Sequence, residues 1–129
     1  MVYLDKEAIK QLVEAINQRN LDPGSKLFSD DVVLHFPGKN QVSGDYHGKS
    51  GVVDIWQKQI KLTKNTLKVE IIDTSQGEGN LILIMQISAQ SNEQSYSWRR
   101  ANHYKIVKGR VVEGWIYEGD QYIADKVFA

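Results

Sequence analysis

Three polar side chains stand at alternate positions near the end of the chain. Arg100, Asn102 and Tyr104 share one face if this segment is a β-strand, because successive strand residues point to opposite faces. A guanidinium can clamp a carboxylate or an enolate, an amide can orient or polarise a carbonyl group, and a phenol can donate a proton. The same residues also fit plainer roles: an arginine paired with a buried carboxylate, a structural amide and a tyrosine in a cavity wall.

Other groups suited to acid–base chemistry lie in two places. Glu118 ends the last predicted strand before Gly119, where it is either a general base or an exposed carboxylate. Asp45, Tyr46 and His47 lie between two glycines in a predicted loop, and His47 is either a base or a solvated side chain. The three histidines of the chain lack the fixed spacing of metal ligands, so we expect no metal.

Helical periodicity predicts the elements that must cover these strands. Residues 5–20 place apolar side chains three and four positions apart, and residues 50–62 repeat the pattern. Asp5 is the predicted N-cap of the first helix, and Asp120 is the predicted N-cap of a last helix. A short helix is expected before Asp30.

Strands dominate the second half of the chain. A strand over residues 32–36 is followed by a long loop or irregular hairpin over residues 38–51. Further strands are predicted near residues 66–73, 80–90, 94–107 and 110–117. Their short connections make them antiparallel neighbours, and helices followed by such strands indicate an α+β fold in a single domain, residues 1–129.

Charge and composition narrow the classes of partner. The chain has 129 residues, with 16 basic and 16 acidic side chains and no cysteine. A formal charge of zero without a basic stripe argues against nucleic acid and against a membrane surface, and the lack of cysteine removes disulfides and zinc–thiolate sites. Charged residues near the N-terminus argue against a secretion signal, and no apolar run is long enough for a membrane helix. We therefore expect a cytoplasmic protein.

One segment bears on assembly. Residues 81–85, with the sequence LILIM, are apolar at both strand parities. Both faces of the sheet are then expected to be covered at this point. Helices can cover only the concave face, so we expect a second copy of the chain to cover the convex face in a homodimer.

Three stretches carry a resemblance to a known family. They are residues 102–120, with the sequence NHYKIVKGRVVEGWIYEGD, and the short segments HFPG at 35–38 and GDYHG at 44–48. Together they resemble the SnoaL-like, ketosteroid-isomerase-like branch of the nuclear transport factor 2-like superfamily. The resemblance implies a cone-shaped fold, in which a curved antiparallel sheet wraps around N-terminal helices and a central pocket. In that superfamily the pocket serves isomerases, cyclases, dehydratases and plain binding proteins.

Alternation alone does not say which strand face lines such a pocket, but the resemblance does. Aligned with ketosteroid isomerase, Asn102 takes the position of the oxyanion-hole aspartic acid, Phe36 that of the general base and Leu12 that of the tyrosine. The implied ligand-binding residues are Phe36, Trp56, Trp98, Tyr104, Ile116, Tyr46 and Asp45. His103, Trp115 and Tyr117 are implied to face outward, onto the interface with the second copy.

The aligned positions lack the acid and base residues of characterised relatives. Phe36 cannot abstract a proton, and Leu12 cannot donate a hydrogen bond. The last-strand aspartates of polyketide cyclases and limonene epoxide hydrolase align at or beside Ile116, so those acids are also missing.

The resemblance therefore implies a general function rather than one particular reaction. We expect a small-molecule pocket protein, a cofactor-independent enzyme of the isomerase, cyclase or dehydratase type, acting on an apolar or aromatic ligand with a carbonyl group. Its candidate catalytic residues are Asn102, Arg100, His47 and Glu118. The alternatives are a non-catalytic protein that binds a small ligand and a dimeric interaction module.

Overall fold

A computed structural model describes residues 6–22 and 26–129. Within these residues the helices and strands, in chain order, are α1 (Lys6–Asn17), β1 (Phe28–Phe36), β2 (Gly44–His47), α2 (Gly48–Leu62), β3 (Lys68–Gly77), β4 (Asn80–Ser91), β5 (Gln94–Val107), β6 (Arg110–Glu118) and α3 (Gln121–Val127). None of the helices in this part of the chain is long and apolar enough to cross a membrane.

The six strands form one curved, unclosed sheet in the order β2-β1-β6-β5-β4-β3. The predicted α+β fold, with helices on one side of a curved sheet, is confirmed. One detail differs from the expected antiparallel sheet, because β1 and β6 pair in parallel. A long connection through α2 and four strands separates β1 from β6, and parallel pairing requires such a crossover.

Burial alternates along the central strands and distinguishes the two faces of the sheet. Arg100, Asn102 and Tyr104 on β5 are buried against the helices, and we call their side the inner face. His103 and Trp115 lie directly opposite each other on β5 and β6, on the other side, which we call the outer face. These orientations agree with those that the resemblance implied.

The helix α1 packs its apolar side onto the inner face. Ile9, Leu12 and Val13 are buried there. Asn17 fixes the end of the helix to the edge strand β3, because its Nδ2 donates to the Val69 carbonyl at 2.7 Å and its Oδ1 accepts from the Val69 N–H at 2.8 Å. The side-chain amide therefore takes the place of a further strand at this edge. The predicted Asp5 cap lies outside the described residues.

The C-terminal helix α3 closes one end of the inner face. Its predicted N-cap is confirmed, since Asp120 accepts a hydrogen bond from the Ile123 N–H at 3.1 Å. The helix brings Phe128, which is fully buried, against Trp98 with ring centroids 6.0 Å apart. The Trp98 indole also donates to Glu118, at the end of β6.

The sequence predicts two segments between α1 and α2 less definitely than the rest. A short helix was expected before Asp30: Asp22 is helical, residues 23–25 lie outside the described part, and a turn leads from residue 26 into β1 at Phe28. The segment 38–51 contains the strand β2, which pairs antiparallel with β1, and this agrees with the irregular-hairpin alternative.

Candidate functional site

A cavity lies between the inner face of the sheet, α1 and α2. The space in it for the centres of water-sized spheres is about 40 Å³, which is room for about three water molecules. Most of its wall is aliphatic and consists of Leu12, Val13, Ile16, Leu34, Leu67, Val69, Leu83, Met85, Ile87 and Ile116. The polar residues of the wall are Gln59, Arg100, Asn102 and Tyr104.

Arg100 is held in a buried ion pair. Its Nε donates to Glu118 Oε1 at 2.8 Å, and its Nη2 donates to Oε2 at 2.9 Å. The two side chains are only 5% and 2% exposed. Nη1 donates to Gln59 Oε1 at 2.8 Å, and the guanidinium lies 5.6 Å from the centre of the Phe36 ring. Of the two roles considered for Arg100, the structure therefore shows the pairing with a buried carboxylate.

Glu118 is buried and paired, which corrects the interpretation as an exposed carboxylate, while its role as a general base stays a prediction. Both oxygens accept from Arg100, which lies directly opposite on β5. Oε1 also accepts from the Trp98 indole Nε1 at 3.2 Å. Trp98, which packs against Phe128 at the end of α3, lies beside the carboxylate, an arrangement that strand periodicity alone does not reveal.

Asn102 and Tyr104 form a second polar pair in the cavity wall. Asn102 Nδ2 donates to the Tyr104 hydroxyl oxygen at 2.8 Å. The two residues are 9% and 4% exposed. Asn102 Oδ1 has no hydrogen-bond partner among the residues that the structure describes. In the same part of the chain, no group accepts the hydroxyl proton of Tyr104.

The amide of Asn102 has two possible orientations. A half turn exchanges its oxygen and nitrogen, so that Oδ1 accepts the Tyr104 hydroxyl proton and Nδ2 becomes a free donor. In either orientation one buried amide atom lacks a partner within residues 6–22 and 26–129. Such an atom costs about 1–3 kcal/mol. The pair therefore marks the place in the cavity where a polar ligand atom fits.

Tyr104 reaches Asn102 because a glycine lies beneath its ring. Gly114 is directly opposite Tyr104 on β6, and a Cβ atom there would lie 2.7 Å from Tyr104 Cδ1. Burial raises the pKa of Tyr104 above its usual value, against the opposing effects of the hydrogen bond from Asn102 and the charge of Arg100. The phenol is therefore protonated at neutral pH and acts as a donor.

The other predicted wall residues fall into two groups. Phe36, Trp56 and Ile116 line the cavity. Trp98 and Tyr46 lie one layer behind it: Trp98 packs beneath α3, and Tyr46 packs edge-on against Phe36 with ring centroids 5.8 Å apart. Trp98 and Tyr46 therefore support residues of the wall without being part of it.

His47 and Asp45 do not line the cavity, which corrects their predicted placement. β2 pairs with β1 in a register that sets Asp45 opposite His35 and His47 opposite Val33. These pairs lie on the outer face, where His47 is exposed and Asp45 bonds to His35. Neither side chain is available as a base to a molecule inside the cavity.

Gln59 is a wall residue that the sequence analysis missed. It lies one helical turn after Trp56 on α2, is only 3% exposed and accepts from Arg100. The spacing of three residues from Trp56 was a usable signal, since it places both side chains on one helix face. In the described part of the chain, no cluster of His, Cys, Asp and Glu has the arrangement of a metal site.

A second cluster of polar and aromatic groups lies on the outer face. His35 bonds to Asp45 through Nδ1 and to Glu113 through Nε2, each at 2.7 Å. Its ring stacks on Trp115 at 5.7 Å, and the His103 ring lies 5.2 Å from the same indole. The hydrogen bonds to Glu113 and then to Asp45 raise the pKa of His35 above its usual value. The sequence analysis did not anticipate this cluster.

The fold and the cavity define a class of protein: an α+β domain in which a curved sheet and helices enclose a small internal cavity. A sequence model described as the SnoaL-like domain matches residues 9–114. Because that match spans most of the chain, the chain belongs to the SnoaL-like domain family, as the resemblance indicated. A comparison with curated proteins finds no match.

Several solved structures share this fold. Bal32a, from a soil-derived mobile gene cassette, is 19% identical, with a TM-score of 0.88 over 95% of each chain. A protein of unknown function with a cystatin-like fold from Xanthomonas campestris is 22% identical, with a TM-score of 0.84 over 95% of this chain and 96% of its own. TerC, co-crystallised with polyporic acid, is 10% identical, with a TM-score of 0.82 over 95% of this chain and 97% of its own. At such identities the likeness establishes the fold alone.

Proposed function

We propose that this protein binds a small, uncharged, largely apolar molecule with a carbonyl group, and acts on it as a cofactor-independent isomerase, cyclase or dehydratase. The observation that carries the proposal is the unpaired amide of Asn102 beside the protonated hydroxyl of Tyr104, in an otherwise apolar cavity. In either orientation of the amide, one of these two residues presents a free donor that a carbonyl oxygen satisfies. The same donors stabilise the negative charge that develops on the oxygen during enolisation.

The charges around the cavity favour an uncharged ligand. Arg100 and Glu118 neutralise each other, and each guanidinium nitrogen already has a partner. A carboxylate ligand would have to displace Glu118 from Arg100 and leave a buried charge without a partner, which costs several kcal/mol. A ketone, an aldehyde or an amide meets no such penalty.

The size and lining of the cavity set further limits. The space as it stands holds about three water molecules, so an organic molecule must move side chains of the wall. Met85 lines the cavity, and its unbranched, flexible side chain is suited to such movement. TerC, a structure of the same fold, was co-crystallised with the small molecule polyporic acid, and this supports small-molecule binding by this chain.

A non-catalytic binding protein is the second candidate, and one observation favours it. None of the described residues that line the cavity is an aspartate, a glutamate, a histidine or a lysine. Glu118 is the carboxylate beside the site, and both its oxygens are engaged by Arg100. Catalysis by this site therefore requires Glu118 to exchange its contact with Arg100 for one with the ligand.

Proton exchange separates the two candidates. The wild type is incubated with cyclopentanone in D2O, and loss of the α-proton signal is followed by ¹H NMR. The enzyme proposal expects exchange above the buffer rate, slowed about tenfold or more in Tyr104→Phe, because the phenol stabilises the enolate oxygen. Binding without exchange supports the second candidate, and absence of both contradicts the proposed function.

We also propose that the outer face packs against a second copy of this chain. Its centre is apolar and aromatic, with Ile82, Ile84 and Trp115 half-buried and Tyr117 57% exposed. An exposed apolar surface of this kind on a sheet is typical of an interface.

The charged residues at the two ends of the outer face support the proposal that a second copy of the same chain packs on it. Arg99 lies toward one end of β5 and β6, and Glu113, with Lys105 opposite it, lies toward the other. Asp45 is a further carboxylate of this face, on β2 opposite His35, which lies level with Trp115. A two-fold axis across the strands brings Arg99 of one copy toward Glu113 of the other.

A further inference from the structure

Two unsatisfied polar groups, one hydrogen-bond donor and one acceptor, lie side by side in the cavity wall. With Asn102 Nδ2 donating to the Tyr104 oxygen at 2.8 Å, the hydroxyl proton of Tyr104 is a free donor. Asn102 Oδ1 is a free acceptor beside it, without a partner in the described residues. A ketone can satisfy the donor but leaves the acceptor unpaired.

We propose that the ligand carries a hydrogen-bond donor next to its carbonyl group, as a carboxamide or a lactam does. Its carbonyl oxygen accepts from the Tyr104 hydroxyl, and its N–H donates to Asn102 Oδ1. This inference rests on the proposed function, because it concerns the same cavity and the same carbonyl group.

The chemistry of the two donors supports this arrangement. A phenol is a stronger hydrogen-bond donor than an amide, so a carbonyl oxygen gains more from Tyr104 than from Asn102 Nδ2. Burial keeps Tyr104 protonated, which preserves that donor. Once the phenol donates to the ligand, Asn102 keeps its Nδ2 on the Tyr104 oxygen, and its Oδ1 needs a donor from the ligand. A secondary amide places donor and acceptor on neighbouring atoms, as Asn102 and Tyr104 do.

The apolar wall and the neutral ion pair of Arg100 with Glu118 argue against two other kinds of polar ligand. A carboxylate has hydrogen-bond acceptors only. Its negative charge would be buried without a counter-ion, because Arg100 is already paired with Glu118. A sugar or polyol carries several donors and acceptors, whereas the described wall offers it only this pair outside the Arg100–Gln59–Glu118 network. The ligand is therefore largely hydrocarbon with one amide-like group.

The test compares three rings of similar size by NMR titration of the methyl signals of the protein. 2-Pyrrolidinone has a carbonyl and a donor, cyclopentanone has a carbonyl alone, and cyclopentane has neither. We expect 2-pyrrolidinone to bind about tenfold more tightly than cyclopentanone, since one buried acceptor is satisfied by the first and not by the second. In Asn102→Leu this preference should vanish, because the buried acceptor that only 2-pyrrolidinone satisfies is gone.

The outcomes separate this inference from the proposed function. Equal affinity for 2-pyrrolidinone and cyclopentanone, both tighter than cyclopentane, overturns the donor requirement and leaves the proposed function standing. Affinities that do not exceed that of cyclopentane overturn both. Asn102→Leu/Tyr104→Phe is the second variant: it has neither donor nor acceptor at this place, so it should bind both carbonyl compounds no better than cyclopentane, and its amide spectrum shows whether the fold is intact.

Discussion

The stability of the fold does not explain why an asparagine is present at position 102. Its Oδ1 is buried and has no partner among the described groups, and such an atom costs about 1–3 kcal/mol. Replacing both polar partners with apolar groups of similar shape removes that cost. The double variant Asn102→Leu/Tyr104→Phe should therefore be at least as stable as the wild type. It provides a folded control for binding experiments at this site.

The ion pair of Arg100 with Glu118 should behave differently on substitution. Arg100→Met is expected to lower the free energy of unfolding by about 3–5 kcal/mol, because Glu118 is left buried without its cation. Arg100→Met/Glu118→Leu should recover most of this loss, since no buried charge remains. Urea denaturation followed by tryptophan fluorescence measures both values. A double variant no more stable than Arg100→Met would show that the cost does not come from the uncompensated carboxylate.

The imidazole of His35 should titrate above its usual pKa of 6.5 in the folded protein, because it donates to Glu113 and Asp45. A raised pKa means that protonated His35 stabilises the fold below pH 6.5, and that this contribution is lost as the pH rises through the folded value. The contribution is small, since the ring is 30% exposed.

An NMR titration of the His35 ring nitrogens measures that pKa. Glu113→Gln should lower it more than Asp45→Asn, because the hydrogen bond to Glu113 is the larger cause of the shift. Lys105, opposite Glu113, is present in both variants and does not affect the comparison. An unchanged pKa in Glu113→Gln would refute this assignment.

Prediction from the sequence succeeded for the residues of β5 and failed for those of β2. The alternation of Arg100, Asn102 and Tyr104 needs only a long, regular strand, and the resemblance supplied its inner face. Asp45 and His47 lie on a strand of four residues, whose register with β1 is set by tertiary pairing. Nothing in five local residues indicates that register, so their outward direction was not foreseen.

At the scale of elements, α3 is tied to the loop between β1 and β2. Asp125 Oδ1 accepts from the Lys39 N–H at 3.1 Å, from Asn40 Nδ2 at 2.7 Å and from Gln121 Nε2 at 2.9 Å. Burial alone would raise the pKa of Asp125, but the hydrogen bonds from Asn40, Gln121 and Lys39 hold it below its usual value. Gly38 has a φ of 91°, and a Cβ atom there would collide with the side chains of Gln121 and Asp125. The loop therefore passes close against the helix.

Asp125→Ala should loosen this contact without unfolding the sheet. The backbone amides of residues 39–43 are expected to exchange with solvent about tenfold faster, because the carboxylate that orders the loop is gone. Hydrogen exchange followed by NMR measures the rates, and Lys126→Ala, at an exposed neighbouring position, is the matched control. Since the folded pKa of Asp125 is lowered, its stabilising contribution should fade as the pH falls through that value. Unchanged exchange in Asp125→Ala would contradict the role of this contact.

The start of β1 shows why one element was predicted too short. Its first residues, Phe28-Ser29-Asp30-Asp31, contain three polar positions that favour a turn. In the structure the pairing with β6 shifts register between Phe28 and Val33, so the strand continues through these residues. A bulge of this kind depends on the neighbouring strand and leaves no local signal.

At the scale of the whole molecule, the outer face carries the proposed assembly. Trp115→Arg should convert a dimer into a monomer, because it places a charge at the centre of the apolar surface. Size-exclusion chromatography with light scattering measures the mass. Tyr122→Arg is the control, since Tyr122 is 89% exposed on α3, away from the outer face.

Charge exchange tests the orientation of the two copies. Arg99→Glu should weaken the dimer, and Arg99→Glu/Glu113→Lys should restore it, because the two ends of the face exchange their signs. A wild-type monomer would rule out the assembly, and a dimer that persists in Trp115→Arg would place the interface elsewhere.

The binding of a carbonyl group by Asn102 and Tyr104 is tested most directly by a crystal structure of the protein with cyclopentanone. The ligand should occupy the cavity, with its oxygen about 3 Å from the Tyr104 hydroxyl or the Asn102 amide. Crystals of Asn102→Leu/Tyr104→Phe, treated in the same way, should show no ordered carbonyl at that position. An empty wild-type cavity, or a ligand whose oxygen points away from both residues, would contradict the proposed function.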